Sequence, residues 1–260
     1  MCGIAGYIGQ SREGQWGETY SILRELYVAM EHRGKDATGF AAMTEPLDNP
    51  SRQSVVIGKQ PLIASKYVKT DPDWNSLSRH RCSMVIQHVR AATHGSPNNP
   101  DNNHPFRSGD GSLSLVHNGI VGNDADLLDQ FSLRRRSECD SDVLLQIVEQ
   151  AKTPAEGLTT CLREVRGSMA VAVLDSSRGV IYLVCNSGRP LWFCRLRDKR
   201  RAFFASTCSI LLSALDKVLG RDRQWLGSIY PLAHGYVHVA TTDGKFVALT
   251  TQPARYLDGD

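Results

Sequence analysis

Long apolar runs are missing from this chain of 260 residues. No stretch approaches the roughly 20 consecutive apolar residues that span a bilayer. No basic region followed by an apolar stretch stands at the N-terminus, which excludes a secretory signal there. Strong charge of either sign is also missing: 30 Lys and Arg against 27 Asp and Glu leave a net +3, too little to draw the chain to nucleic acid or an anionic membrane. The cysteines, at positions 2, 82, 139, 161, 185, 194 and 208, are odd in number, and no two are spaced as CxxC. That argues against a zinc knuckle and a disulfide framework and fits a reducing cytoplasm. No internal repeat, low-complexity tract or domain boundary is visible. At 41% hydrophobic and 22% charged residues, the composition is that of an ordinary soluble globular protein, long enough for one large domain or two small ones.

What is present begins at the N-terminus. Cys2 follows Met1 and leads an apolar run bracketed by glycines, Gly3 to Gly9, which predicts a buried strand. Removal of Met1 would leave Cys2 with a thiol and a free α-amine. An α-amine with a pKa of roughly 7.7 to 8 can serve the thiol as base at neutral pH. Against this stands the common role of a free cysteine as a small buried hydrophobe, the better reading for Cys185 and Cys194 in their apolar segments.

Apolar positions at helical spacing predict a helix over 17–31. His32 to Gly39 reads as a turn-rich loop, with Arg33 and Asp36 either placing charge or forming a solvated ion pair of little energetic weight. A polar connection over 44–54, a strand at Val55–Ile57, a short helix at 61–68 and a strand at 83–89 follow. That strand runs into Arg90, Thr93 and His94 and a long Asn- and Pro-rich loop ending at His104-Pro105-Phe106; loops of that length in compact domains are usually functional or disordered. His88, His94 and His104 raise the possibility of a metal site, but no acidic or thiol partner falls at ligand spacing. Neither metal nor cofactor is expected.

A strand at 112–117 precedes Asn118-Gly119, which reads either as a tight hairpin turn or as a pair of oxyanion donors, a side-chain amide and a backbone N–H. Asp140, Ser141 and Asp142 precede a helix at 143–148; one of them would cap it, and a second acid could face a ligand ammonium. Further helices are expected at 127–131, 154–165 and 209–215. Strands are expected at 169–174, 180–185, 191–196 and 202–205, with a final hairpin of 236–240 and 246–251. Strands joined by such short turns point to antiparallel sheet. The basic turn 195–201 reads as a solvated hairpin end.

Five segments in this order resemble the glutaminase domain of class II glutamine amidotransferases, in the N-terminal-nucleophile hydrolase superfamily. They are Met1-Cys2-Gly3-Ile4-Ala5-Gly6; Arg33-Gly34 with Asp36 and Gly39; His88, Arg90, Ala92, Thr93 and Gly95; Asn103-His104-Pro105-Phe106 with His117-Asn118-Gly119-Ile120; and Asp140-Ser141-Asp142. The later segments Arg166-Gly167-Ser168, Ser187-Gly188-Arg189-Pro190-Leu191 and Phe204-Ala205-Ser206 extend the resemblance over nearly the whole chain. The resemblance departs at Ala91, where many relatives carry a bulky residue, and at Cys139 and Asp142, where Ser/Thr and Glu are commoner.

The resemblance implies an α+β, four-layer αββα sandwich of two antiparallel sheets. It implies that Cys2 attacks the side-chain amide of L-glutamine to give a γ-glutamyl thioester, with Asn118 and the Gly119 N–H holding the oxyanion. Arg90 and Thr93 would bind the α-carboxylate, Asp140 the α-ammonium, and His94 would assist at the substrate loop. Arg33 would position the Cys2 region, and His104 would support the loop. Residues 1–260 are then expected to form a single glutaminase domain, without a synthase domain, handing ammonia to a separate synthase or ligase partner in the cytoplasm. Two alternatives remain: a stand-alone hydrolase of another γ-glutamyl amide, and a non-catalytic scaffold on the same fold.

Overall fold

The computed structural model describes residues 1–11, 14–45 and 54–249. Most of the expected polar connection over 44–54, and the end of the last expected strand at 250–251, lie outside the described residues. Thirteen strands form two sheets among those described. In the first, β11 (Leu226–Pro231), β9 (Trp192–Leu196), β10 (Arg201–Ala205), β1 (Gly3–Gly9), β4 (Arg81–Arg90), β2 (Ala37–Glu45) and β3 (Ser54–Gln60) lie side by side in that order. In the second the order is β13 (Phe246–Leu249), β12 (Val237–Thr241), β8 (Val180–Cys185), β7 (Gly167–Asp175), β6 (Leu113–Val121) and β5 (Phe106–Arg107). Every pairing is antiparallel.

The layering follows from the two-residue alternation of strand side chains. On β1, Ala5 and Tyr7 join a core with α1 (Trp16–Met30), α2 (Ala64–Thr70), α3 (Pro72–Ser76) and α7 (Cys208–Leu219). Ile4 and Ile8 turn the other way, into a core shared with Val116, Ala170, Ala172 and Leu174 of the second sheet. On β7, Val171 and Val173 face α4 (Asp124–Gln130), α5 (Asp142–Gln150) and α6 (Pro154–Glu164). Three apolar cores thus separate four layers, helices–sheet–sheet–helices, the expected αββα sandwich. Burial of each Leu-, Ile- or Phe-sized side chain contributes roughly 1.5–3 kcal/mol, so all three cores contribute substantially. Gly6 shows how tightly the layers pack: a Cβ there would lie 2.3 Å from the Phe204 ring and from the Val85 carbonyl.

Four elements escaped the sequence reading: β2, which starts at Ala37 inside the expected loop 32–39 because it pairs with both β3 and β4, the two-residue β5, α3 and β11. Helix α3 has only five residues, but Pro72 opens it and the Asp71 carboxylate accepts the Trp74 N–H at 2.8 Å. Strand β11 is a largely exposed edge without alternating burial. Two local expectations are corrected. Asn118-Gly119 is not a turn: β6 runs on to Val121, with Asn118 opposite Ala170 and Gly119 opposite Met169. Ser141 stands at the N-cap of α5 but its side chain makes no capping bond; its hydroxyl is engaged by His117 Nδ1 at 2.7 Å and by Asp140. In the basic turn, Arg201 is buried and ion-paired with Glu18 and Asp198, each at 2.6 Å.

Candidate active site

The ends of β1, β4 and β6 open on one small cleft. Of the expected site residues, Cys2, Arg90, Thr93, His104, Asn118, Gly119 and Asp140 line it, together with Arg189. His94 and Arg33 do not.

Cys2 lies just before β1, where the strand's pairing with β4 fixes its direction: Gly3 sits opposite Val89. Its Sγ accepts from Ala91 N at 3.4 Å and donates to Ala91 O at 3.6 Å. Burial pushes the thiol pKa up, the Ala91 N–H working against it. The resting group is therefore a thiol, and attack needs a base at the moment of reaction. Arg33 Nε donates to Cys2 O at 2.9 Å, and Asp36 Oδ2 accepts from Ala92 N at 2.7 Å. Arg33 and Asp36 thus brace the two sides of the nucleophile separately and form no ion pair with each other. Met1 is 64% exposed at the mouth of the cleft.

The opposite wall is the free edge of β6. Met169, across from Gly119, has its own N–H and C=O bonded to Asn186 on the β8 side. By the alternation of antiparallel ladders, the Gly119 N–H therefore lies outside the β6–β7 ladder. It belongs to the edge that β5 covers only as far as Leu115. On that same edge the Val121 N–H is donated to Asp140 Oδ2 at 2.7 Å. A Cβ at position 119 would lie 1.8 Å from Ser168 O and 2.5 Å from His117 Nε2, so only glycine fits. Asn118, buried between the sheets, directs Nδ2 toward Ser206 Oγ at 3.5 Å, and its Oδ1 has no hydrogen-bond partner. Ser206 in turn accepts from Ile4 N at 2.9 Å, tying this amide to the strand that carries Cys2.

Arg90 is buried, and its guanidinium holds the following loop: Nη1 donates to Asn103 Oδ1 at 2.8 Å, and Nη2 to Gly95 O at 3.0 Å and to His94 O. His94 contributes its carbonyl to this clamp, while its ring is exposed beside the Thr93 hydroxyl. His88, His104 and His117 cluster inside. His104 lies 4.1 Å from His88, ring to ring, and 4.7 Å from Phe106. Burial depresses the pKa of these three histidines: His88 falls to about 3, and His104 and His117 are lowered as well. His88 Nε2 bonds to His117 O at 3.0 Å. Three or more His, Cys, Asp or Glu side chains arranged to hold a metal ion are not found among the described residues. Likewise, no helix among them is long and apolar enough to cross a membrane.

Sequence reasoning gave no role to Ser206 or Arg189 and offered Ser141 only as a helix cap. Their segments were visible as motifs, but what each touches depends on β7, β8 and β10 folding back on β6 and β1.

Residues 88–213 match the family model of the glutamine amidotransferase domain. The chain is 31% identical over 193 residues to a glutamine–fructose-6-phosphate aminotransferase (isomerizing) of Staphylococcus aureus, covering 72% of this chain and 29% of that protein. It is 30% identical over 254 residues to the protein of the same name from Oceanobacillus iheyensis, covering 95% of this chain and 38% of that one. The chain thus spans well under half the length of these curated relatives. The solved glutamine phosphoribosylpyrophosphate amidotransferase from B. subtilis shares the fold, with a TM-score of 0.66 at 24% identity over 95% of this chain and 49% of that one. With the fold, the cleft and these likenesses in hand, the chain belongs to the class II glutamine amidotransferase domain family.

Proposed function

We propose that this chain hydrolyses the side-chain amide of L-glutamine through a γ-glutamyl thioester on Cys2, and that the ammonia passes to an acceptor bound by a synthase or ligase partner. One observation carries the reading: a single small cleft gathers Cys2, the Asn118–Gly119 pair and Asp140 from three distant segments of sequence.

Once Met1 is removed, the Cys2 α-amine takes the thiol proton as Sγ attacks the amide carbon. The Asn118 amide and the Gly119 N–H stabilise the oxyanion that develops, an effect worth 10²–10³ in rate per donor in enzymes of this kind. Collapse of the tetrahedral intermediate breaks the C–N bond, and the proton held by the amine leaves with ammonia. Water then cleaves the thioester by the same proton path and releases glutamate.

Asp140, one oxygen fixed by Val121 N, receives the α-ammonium. Arg90 and Thr93 receive the α-carboxylate. The Arg90 guanidinium has five N–H donors, and three hydrogen bonds go to the loop, so the same group closes the loop and keeps donors in reserve. Arg33 positions the terminal residue through its carbonyl. His104 acts as a neutral packing ring beneath the loop, and His94 acts through its backbone.

The test is release of glutamate and ammonia from glutamine by protein beginning at Cys2, alongside labelling of Cys2 by a diazo-ketone analogue of glutamine. Stoichiometric labelling is expected; absence of labelling overturns the reading. The acceptor is tested by comparing ammonia release alone and with candidate synthases or ligases. Neither stimulation nor a complex with any of them would remove that half of the proposal.

A further inference from the structure

The carboxylate and ammonium of an α-amino acid sit on one carbon, so the groups that receive them must stand at a matching separation. Arg90 comes from the end of β4 and Asp140 from the turn before α5, and none of their hydrogen bonds joins one to the other. A different pair of side chains bridges the two segments. Asn102, fully buried in the loop after Arg90, donates from Nδ2 to Glu138 Oε2 at 2.7 Å and to Ser96 O at 3.2 Å, while its Oδ1 accepts from Glu138 N at 3.0 Å. Glu138 sits two residues before Asp140 and 36 positions from Asn102. It offers an acceptor and a donor side by side, and only one orientation of the Asn102 amide satisfies both. The pair therefore fixes direction as well as distance.

Arg90 reaches this bridge from two sides. Asn103, next in sequence to Asn102, accepts from Arg90 Nη1 at 2.8 Å, and Gly95 O accepts from Nη2 at 3.0 Å. Gly95 has φ +71°, and a Cβ there would stand 2.6 Å from Asn102 Nδ2 and 3.0 Å from Glu138 Cβ, so the loop closes directly on the pair. At the other end, Val121 N holds Asp140 Oδ2 at 2.7 Å. Bonds that only build a loop stay within it, as Asn103 Nδ2 to Pro97 O does at 2.6 Å. The Asn102–Glu138 bonds leave the loop and end beside Asp140.

We propose that Asn102 and Glu138 are positioning residues that hold the Arg90 loop and the Asp140 turn at the separation of an α-amino acid's two charges, so that one clamp grips both. Neither residue touches the reacting atoms. Each acts through the group next to it, Asn102 through the Arg90 loop and Glu138 through the Asp140 turn. The inference rests on the proposed roles of Arg90 and Asp140 in binding glutamine.

The experiment compares two electrophiles on protein that begins at Cys2, reading the rate of modification at Cys2 by mass spectrometry. The diazo-ketone analogue of glutamine carries both charges; iodoacetamide carries neither. Glu138→Ala, at an exposed side chain, should slow the analogue about tenfold, the scale of one charge-assisted hydrogen bond. Iodoacetamide should keep its wild-type rate within about threefold, and KM for glutamine should rise about tenfold with kcat little changed. Glu138→Gln keeps an acceptor for Asn102 Nδ2 and should recover most of the loss. Asn102→Ala should match Glu138→Ala, and the double variant should be no slower than either, because the bond is already gone. If Asn102→Ala does not fold, Asn102→Asp replaces it, keeping the shape while setting two carboxylates against each other. An analogue rate unchanged in Glu138→Ala overturns the proposal. So does equal slowing of both electrophiles, which would make the pair a general support of the fold, and so does a loss that Glu138→Gln does not recover. Wild-type protein that the analogue leaves unlabelled fails the glutamine reading itself, whereas labelled wild type with any of those three outcomes fails this inference alone.

Discussion

The two sheets meet at one cleft but are held there by different means. On the first sheet's side, Cys2 and Arg90 are fixed through main chain: Ala91 N and O flank the thiol, Arg33 holds the Cys2 carbonyl, and Arg90 holds loop carbonyls. On the second sheet's side, the groups are fixed largely by side chains: Asn118 by Ser206, His117 by Ser141, and Asp140 by the one main-chain donor of Val121. The first wall presents a reacting group at a chain terminus, where little else constrains it. The second presents a receiving surface cut into the edge of a long strand. Changes on the first wall should therefore remove the chemistry outright, and changes on the second should grade it.

The largest expected effect tests the first half of that contrast. Cys2→Ala should lower glutamine hydrolysis by a factor on the order of 10⁴ or more, as loss of a nucleophile does elsewhere. The fold should survive, because a small side chain replaces a small one whose only bonds are two long ones to Ala91. Circular dichroism and activity together decide it; substantial residual turnover in folded protein would mean that the nucleophile lies elsewhere.

On the second wall, Asn118→Ala should cut kcat by about 10²–10³ with little change in KM, the signature of a donor used mainly in the transition state. A purely KM effect would make Asn118 a substrate contact instead. Asp140→Asn should do the reverse. Losing a charge-assisted bond worth roughly 1.5–3 kcal/mol should raise KM for glutamine by about 10- to 100-fold. If KM stays put, the ammonium is bound somewhere else.

The same contrast explains what could be read in advance. The first wall is written in short contiguous motifs: Cys2 immediately precedes one strand and Arg90 closes another, so apolar runs located both. Asp140 and the Asn118–Gly119 pair were visible as residues, but their setting was not. Asn-Gly is a strong hairpin signal, and it loses here because β7 pairs with β6 straight through to Val121. Ser141 looked like a helix cap because local chemistry favours that; a buried histidine 24 positions earlier claims its hydroxyl. The layered fold followed from strand spacing only with the help of family resemblance, since alternation marks which residues share a face but not which sheet that face meets.

Ser206 joins the two walls and gives the smallest and most discriminating prediction. Its hydroxyl accepts from Ile4 N, two residues beyond the nucleophile, and meets Asn118 Nδ2 across the gap between the sheets. Ser206→Ala should leave the backbone bond from Ser206 N to Ile4 O in place while releasing the Asn118 amide from its anchor. A net hydrogen bond of about 0.5–1.5 kcal/mol corresponds to roughly a two- to twelvefold loss in kcat. Because the serine acts through Asn118, the loss should vanish in an Asn118→Ala background, where no amide remains to be oriented. Additive losses in the double variant would mean that Ser206 supports the strand carrying Cys2 rather than the oxyanion donor, and the division of labour between the two walls would then have to be redrawn.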